Sequence, residues 1–226
     1  MKIASRKPVQ WIAGKPVVRK PRLRGWIHFA AAPLSLAASI VLLVLAPTTA
    51  LKWASAVYLL SSFILFGVSA LYHLFYWKPR AELTLKRMDH SNIFLLIAGT
   101  YTPLSVALLP PTEATVILAI VWGGAIIGIS LNLLWAKAPR WLTTLIYVLL
   151  GWVAVWYLPV FWRNGGPAVV ILIVLGGVFY TIGAVIYAMK RPNPWPQWLG
   201  FHEIFHACTV LAWICQCVAA YLAVLE

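Results

Sequence analysis

Two histidines lie four residues apart near the start of the last apolar segment. His202 and His206 occur in the sequence FHEIFHACT, residues 201–209. Because four residues make about one helical turn, both imidazoles project from the same face of a helix. Ionisable groups are costly to bury at membrane depth, so these rings and Glu203 must face a protein interior or a water-filled cavity. A metal ion held between the two rings is the chemistry that this spacing favours.

The composition indicates an integral membrane protein. The 226 residues are 62% hydrophobic and only 10% charged, and a soluble domain of this size could not bury so much apolar surface. A net charge of +13 would suggest a nucleic-acid partner in a soluble chain. Here the basic residues flank apolar runs, which is a signal of topology, so no nucleic-acid partner is expected. The three cysteines form no CxxC motif and are expected to be packing residues.

Seven stretches are long and apolar enough to cross a bilayer, for which a helix needs about 20 mostly apolar residues. Proline or glycine occurs in every gap between them, where neither residue interrupts a helix. The predicted fold is all-α: a basic arm over residues 1–26 followed by a seven-helix transmembrane bundle over residues 27–226. The spans are predicted at residues 27–46, 53–77, 88–109, 114–135, 141–162, 167–189 and 199–224.

The distribution of Lys and Arg predicts the orientation. Of these 18 residues, only Lys52 and Arg163 fall outside the arm and the second, fourth and sixth gaps. By the positive-inside rule the N-terminus is cytoplasmic and, after seven spans, the C-terminus is outside. The arm has no pattern of a cleavable signal peptide. We expect it to be attracted to anionic lipid headgroups, and we expect the protein in a bacterial plasma membrane.

This topology brings polar residues of three helices to one layer near the cytoplasmic face. His73 lies near the end of span two, with Ser69 one turn before it, whereas Asp89 begins span three and His202 and His206 begin span seven. Three imidazoles can fill three positions of a tetrahedral Zn²⁺ ion and leave the fourth open for water or substrate. Asp89 would then hold the water or orient an imidazole, and Ser69 would assist it. The alternative is a hydrogen-bonded cluster that only ties helices together.

Three further ionisable residues have a less direct relation to the predicted site. The sequence HEIFH matches HExxH, in which the glutamate is a general base, so Glu203 is a candidate for that role. The alternative is a carboxylate favoured by the dipole at the N-terminus of its helix. His28, beside Trp26, is interpreted as an interfacial residue, and His90 as a structural or peripheral one.

Three motifs, in this order, resemble those of the hemolysin III family, which is related to the progestin and adipoQ receptors, including the adiponectin receptors. They are SALYH at residues 69–73, KRMDHSNIFLLIAGTYTP at residues 86–103 and HEIFH at residues 202–206. The resemblance covers essentially the whole chain and implies a seven-helix bundle with its N-terminus inside. It implies a zinc ion held near the cytoplasmic face by His73, His202 and His206. Asp89 and Ser69 match residues of the network around that ion.

The wider superfamily includes alkaline ceramidases, so the resemblance also implies hydrolysis of a lipid amide or ester bond. We therefore expect a zinc-dependent hydrolase for which membrane lipids are substrate or ligand, with Asp89 as proton acceptor. A non-enzymatic membrane sensor or pore-related protein with a structural zinc is one alternative, and it would have a closed metal site and no lipid cavity. An intramembrane protease is another, and it would need Glu203 at the metal and a carboxylate as third ligand.

Overall fold

The computed structural model describes residues 9–12, 15–18, 20–135 and 139–225. Much of the predicted basic arm, together with Lys137 and Glu226, lies outside the described residues. Two short strands, β1 (Val9–Ile12) and β2 (Lys15–Val18), pair as an antiparallel hairpin ahead of the helices. The prediction of an all-α fold therefore omitted this hairpin, whereas every named element after it is helical.

Helices follow in close succession and are separated by short turns. Proline stands in the first turn of α3 and α4, where its missing N–H removes no helical hydrogen bond, and Thr48 caps α2 through its side chain. The helices are α1 (Trp26–Leu45), α2 (Thr49–Leu74), α3 (Pro79–Leu108), α4 (Pro111–Leu134), α5 (Arg140–Gly151), a 3₁₀-helix (Trp152–Tyr157), α6 (Leu158–Met189) and α7 (Phe201–Leu225).

The number of separate spans differs from the prediction. In the part of the chain that the structure describes, six helical stretches are long and apolar enough to cross a membrane, and not seven. The predicted spans 141–162 and 167–189 form one stretch, Trp141–Met189, because the sequence RNGGP does not make a loop and belongs to α6. Gly166 departs from helical geometry, with φ 72° and ψ 178°, a conformation open to glycine but not to side-chain-bearing residues.

The stretch Trp141–Met189 folds back on itself. The Trp152 indole N–H donates to the Thr181 hydroxyl at 2.9 Å, although the two residues are 29 positions apart. Tyr147 donates to the His90 carbonyl at 2.9 Å, and the Tyr187 hydroxyl lies 3.0 Å from His90 Nε2. The stretch therefore leaves the level of His90 and returns to it.

Small residues fill the contacts between the first three helices. Ser35 of α1 and Ser62 of α2 are fully buried, and a methyl group added to Gly99 of α3 would overlap with Ser61. Helices in lipid associate through such close approach, because lipid chains are as apolar as leucine and provide no hydrophobic drive. Large apolar side chains instead occupy the outer faces, as Trp156 does with 84% of its surface exposed. The end of the bundle where α2 ends and α7 begins, here called the site end, carries the predicted site.

Candidate metal site

Three histidines from two helices meet at the site end. His73 lies in the last turn of α2, and His202 and His206 lie in the first two turns of α7. One ring nitrogen from each lies within 4.8 Å of the other two, and His73 Nε2 is 3.1 Å from His202 Nε2. His73 and His206 are 5% and 2% exposed. The structure thus brings together the three predicted ligands in a cluster that can hold a metal ion.

Asp89 and Ser69 border this cluster, as predicted from their depth. The Asp89 carboxylate oxygen Oδ2 is 3.5 Å from His73 Nε2, the same nitrogen that approaches His202. Ser69 is 2% exposed, and its hydroxyl lies close to the Asp89 carboxylate. Asp89 therefore faces the point where the ring nitrogens converge, with Ser69 beside it.

Glu203 organises the N-terminus of α7. Its Oε2 accepts the Gly200 N–H at 2.7 Å, which satisfies one of the backbone donors left free at a helix start. Its Oε1 accepts a hydrogen bond from Arg24 Nε in an ion pair, and Glu203 is only 1% exposed. Both carboxylate oxygens are thus engaged away from the histidines. The interpretation as a helix N-terminal carboxylate is the one that the geometry favours, and the protease alternative loses its general base.

Residues 20–25, here called the basic strap, join α2 to α7 beside the cluster. The Lys20 ammonium donates to the carbonyls of His73 at 3.2 Å and Phe75 at 2.8 Å. The backbone N–H groups of Arg22 and Leu23 donate to the carbonyls of Gln197 and Trp198. From the sequence, these residues were expected to belong to an arm that is attracted to lipid headgroups, and their contacts with α2 and α7 were not predicted. The available signal was Glu203 itself, since a carboxylate in an apolar segment needs a counter-charge.

Two other histidines lie next to the site. His28 is 3% exposed and stacks on His206, with ring centroids 3.8 Å apart and planes at 2°, so its interpretation as an interfacial residue was wrong. Its two ring nitrogens make no hydrogen bond within the described residues. His90 bonds the Lys86 carbonyl at 2.7 Å and the Tyr187 hydroxyl at 3.0 Å, which is the arrangement of a structural residue.

An apolar cavity begins at the cluster and extends into the bundle. Asp89 and His202 border one end of it, and Leu104 and Phe161 lie among its lining residues. Its walls come from α3, α5, the 3₁₀-helix, α6 and α7 and are almost entirely apolar. Three of these elements, α5, the 3₁₀-helix and α6, belong to the fold-back of Trp141–Met189. A molecule with a long apolar chain could therefore lie in the cavity with its polar end at the histidines.

Comparison with known proteins identifies the family. A family model described as Haemolysin-III related matches residues 17–217. The chain belongs to this family. Hemolysin-3 of Bacillus cereus is 32% identical over 167 residues, which are 73% of this chain and 76% of that protein. The Hemolysin-3 homolog of Bacillus subtilis (strain 168) is 30% identical over 161 residues, 70% of this chain and 75% of that protein.

Membership of the haemolysin III family confirms the prediction made from the three motifs. The six long apolar helical stretches, together with these bacterial relatives, place the protein in the bacterial plasma membrane as a multi-pass integral protein. The relatives' names refer to haemolysis and say nothing of a metal or of hydrolysis. The chemistry of the site therefore has to be inferred from the residues themselves.

The histidine cluster predicts a specific pattern of metal loss. We expect the purified protein to bind one divalent transition-metal ion per chain. His206→Ala should weaken binding by more than the roughly 10–100-fold typical of losing a residue that only supports a ligand. His90→Ala is the matched control, since it removes a nearby histidine that is not one of the three. Elemental analysis after equilibration at fixed free metal checks this, and equal loss in both variants would remove His206 from the ligand set.

The ion pair between Arg24 and Glu203 predicts a stability loss that a second substitution repairs. A buried pair that loses one partner is destabilised by about 3–5 kcal/mol, and the 20% exposure of Arg24 puts this one near the lower limit. Arg24→Gln should therefore lower the free energy of unfolding in detergent. Combining it with Glu203→Gln should restore most of the loss, because no unpaired charge remains and the Gly200 N–H keeps its acceptor.

Arg80→Gln is the control for this experiment, since it removes a basic residue at the start of α3 that has no ion pair within the described residues. Thermal unfolding of the four proteins gives the comparison. If Arg24→Gln is no more destabilising than Arg80→Gln, the pair does not hold the strap to α7.

Proposed function

We propose that this protein is a zinc-dependent hydrolase that cleaves an amide or ester bond of a membrane lipid. The observation that carries the proposal is the apolar cavity that opens at the histidine cluster. A metal site that only tied helices together would need no such cavity. A site that received an acyl chain would need one, with the bond to be cleaved placed beside the metal.

The residues of the cluster fit zinc. Tetrahedral zinc with metal–nitrogen bonds of about 2.0–2.1 Å places its ligand atoms about 3.4 Å apart. The 3.1 Å between His73 Nε2 and His202 Nε2 is close to this separation. Three neutral imidazoles leave one coordination position, as in catalytic sites. When bound, zinc would supply a Lewis acid that polarises a carbonyl and makes a water molecule more acidic.

Asp89 would be the proton acceptor. Its Oδ2 lies 3.5 Å from His73 Nε2, and the residue also lines the cavity. A carboxylate in this position can take a proton from an attacking water and later return it to the leaving group. Ser69 would keep the carboxylate oriented from behind. The apolar walls beyond them would hold the acyl chain and exclude other water from the reacting bond.

We also propose that Trp141–Met189 crosses the bilayer twice, so that the N-terminus is cytoplasmic and the C-terminus outside. A straight helix of these 49 residues would measure about 74 Å, more than twice the roughly 30 Å of the hydrocarbon core. The contact between Trp152 and Thr181 supports a reversal near Gly166. With this topology the metal cluster lies near the cytoplasmic face.

Reporter fusions test the topology. A periplasm-active phosphatase fused after residue 225 should be active, whereas the same enzyme fused after Lys190, before α7, should be inactive. A fluorescent protein that folds only in the cytoplasm should give the reverse pattern. An inactive phosphatase with a fluorescent reporter at the C-terminus would mean an even number of crossings.

A pore-related protein with a structural metal is the second candidate, and the names of the Bacillus relatives favour it. In that case the metal would be closed to substrate, and the cavity would have no link to activity. Zinc would then be needed for folding and for membrane permeabilisation alike, and substitutions along the cavity would change neither. The cavity bordering Asp89 and His202 is the reason for placing the hydrolase first.

Asp89→Asn should separate metal binding from turnover. The amide keeps the size of the side chain but cannot accept the proton, so hydrolysis of a long-chain acyl amide should fall about 10²–10⁴-fold while zinc content stays at the wild-type level. Glu113→Gln, which neutralises a carboxylate at the start of α4, is the matched control and should keep full activity. Fatty-acid release and elemental analysis on the same preparations check both parts. Full turnover in Asp89→Asn would contradict the assigned role.

A further inference from the structure

A second pocket is lined by His73, which does not line the apolar cavity. It is formed between the basic strap and the neighbouring ends of α1 and α2. Three basic side chains line it, those of Lys20, Arg22 and Arg24. Neither the histidine cluster nor the proposed hydrolysis uses these three charges directly.

Two of the three cations keep unused hydrogen-bond donors. Arg24 is neutralised by Glu203. The Lys20 ammonium has three donors and gives two of them to backbone carbonyls. The Arg22 guanidinium stacks on the Trp198 ring, with its carbon 4.4 Å from the ring centroid, and makes no hydrogen bond within the described residues. Lys20 and Arg22 thus line the pocket with donors that no described residue satisfies.

The positive charge in the pocket is only partly balanced. Arg24 pairs with Glu203, whereas no ion pair within the described residues balances Lys20 or Arg22. An anion beside Lys20 and Arg22 would balance their charges. The pocket is therefore electrostatically suited to an anion and not to a neutral ligand.

The pocket has a fixed shape before any ligand binds. The Arg22 N–H donates to the Gln197 carbonyl at 2.9 Å, and the Leu23 N–H donates to the Trp198 carbonyl at 3.2 Å. These bonds hold the strap against the loop before α7, while Lys20 holds it to the end of α2. An anion would thus meet donors already in place, which reduces the entropy lost on binding.

The open side of the pocket has the character of a membrane interface. Trp26, Phe29, Phe75 and Tyr76 line it, and between 52% and 57% of the surface of each is exposed. Tryptophan and tyrosine prefer the level of the lipid headgroups, where lipid phosphates also lie. The exposed apolar faces of α1 and α2 continue from these rings and could carry the acyl chains of a lipid.

We propose that this pocket binds the phosphate of an anionic membrane phospholipid, with Lys20 and Arg22 as its donors. The whole basic arm was expected to attract anionic headgroups diffusely. The structure assigns one headgroup to one pocket. Because Lys20 also bonds the carbonyl of His73, the bound lipid would brace the end of the helix that carries a metal ligand.

Selective lipid retention tests this proposal. Delipidated protein in detergent is incubated with phosphatidylglycerol or phosphatidylcholine, and bound lipid is measured by native mass spectrometry. Wild type should prefer phosphatidylglycerol, and the double variant Lys20→Gln with Arg22→Gln should reduce that preference about fivefold for each charge removed. Lys78→Gln with Arg80→Gln is the matched control, since it removes the same charge from the same end of the bundle outside the pocket and should keep the preference.

The experiment distinguishes a specific lipid pocket from diffuse attraction and from a free phosphate site. Equal preference in the pocket variant and in wild type, or equal loss in both double variants, would overturn the pocket and leave only diffuse attraction to the basic surface. Competition by millimolar inorganic phosphate distinguishes the source of the anion: a lipid site should resist it, and full displacement would mean a free phosphate site. Arg22→Gln alone guards against misfolding, since the Arg22 side chain makes no hydrogen bond within the described residues. It should lower the preference while leaving metal content unchanged.

Discussion

The rest of the site depends on one constraint: a charge buried in an apolar bundle must have a partner. Glu203 lies one residue from His202 and three from His206, so a shift of the helix backbone at Glu203 would move both histidines. Arg24 and the Gly200 N–H fix that carboxylate from two sides. The start of α7 is therefore held by electrostatics and not by packing alone. The spacing between the histidines of α7 and His73 of α2 follows from this attachment and from the bonds of Lys20.

Much of the site could be predicted because membrane depth is readable from a sequence. Once span ends are known from apolar length and charge, His73, Asp89, His202 and His206 fall into one layer, and polar groups in that layer have few places to go except towards each other. The same argument could not place His28, which also lies near a span end but turns inward to stack on His206. The direction in which a lone histidine points depends on the rotation of its helix about its axis. That rotation is inferred from a repeating pattern of several polar residues, which a single histidine does not provide.

The misjudged parts of the fold share a different cause. From its composition, the arm before α1 was expected only to attract lipid headgroups. Its last residues instead bond a loop about 175 positions away, a pairing that only tertiary structure determines. The sequence RNGGP was expected to end one helix and begin another through a loop. Instead, Gly166 breaks the helical geometry inside α6 by adopting a positive φ, and Arg163 and Asn164 beside it remain in helical structure. Local composition indicates that the helix is interrupted, but it does not indicate how many residues the interruption contains.

The reversal at Gly166 also bears on how the protein is made. A helical hairpin with a turn of so few residues leaves a ribosome as one apolar unit of 49 residues, within which Arg163 is the sole charged side chain. Its two arms bond each other through Trp152 and Thr181, so they can enter the bilayer together. Under the proposed double crossing, insertion machinery would have to move a single charge, that of Arg163, across the hydrocarbon. The two arms would then insert in one event, so the protein would need one insertion event fewer than its number of crossings.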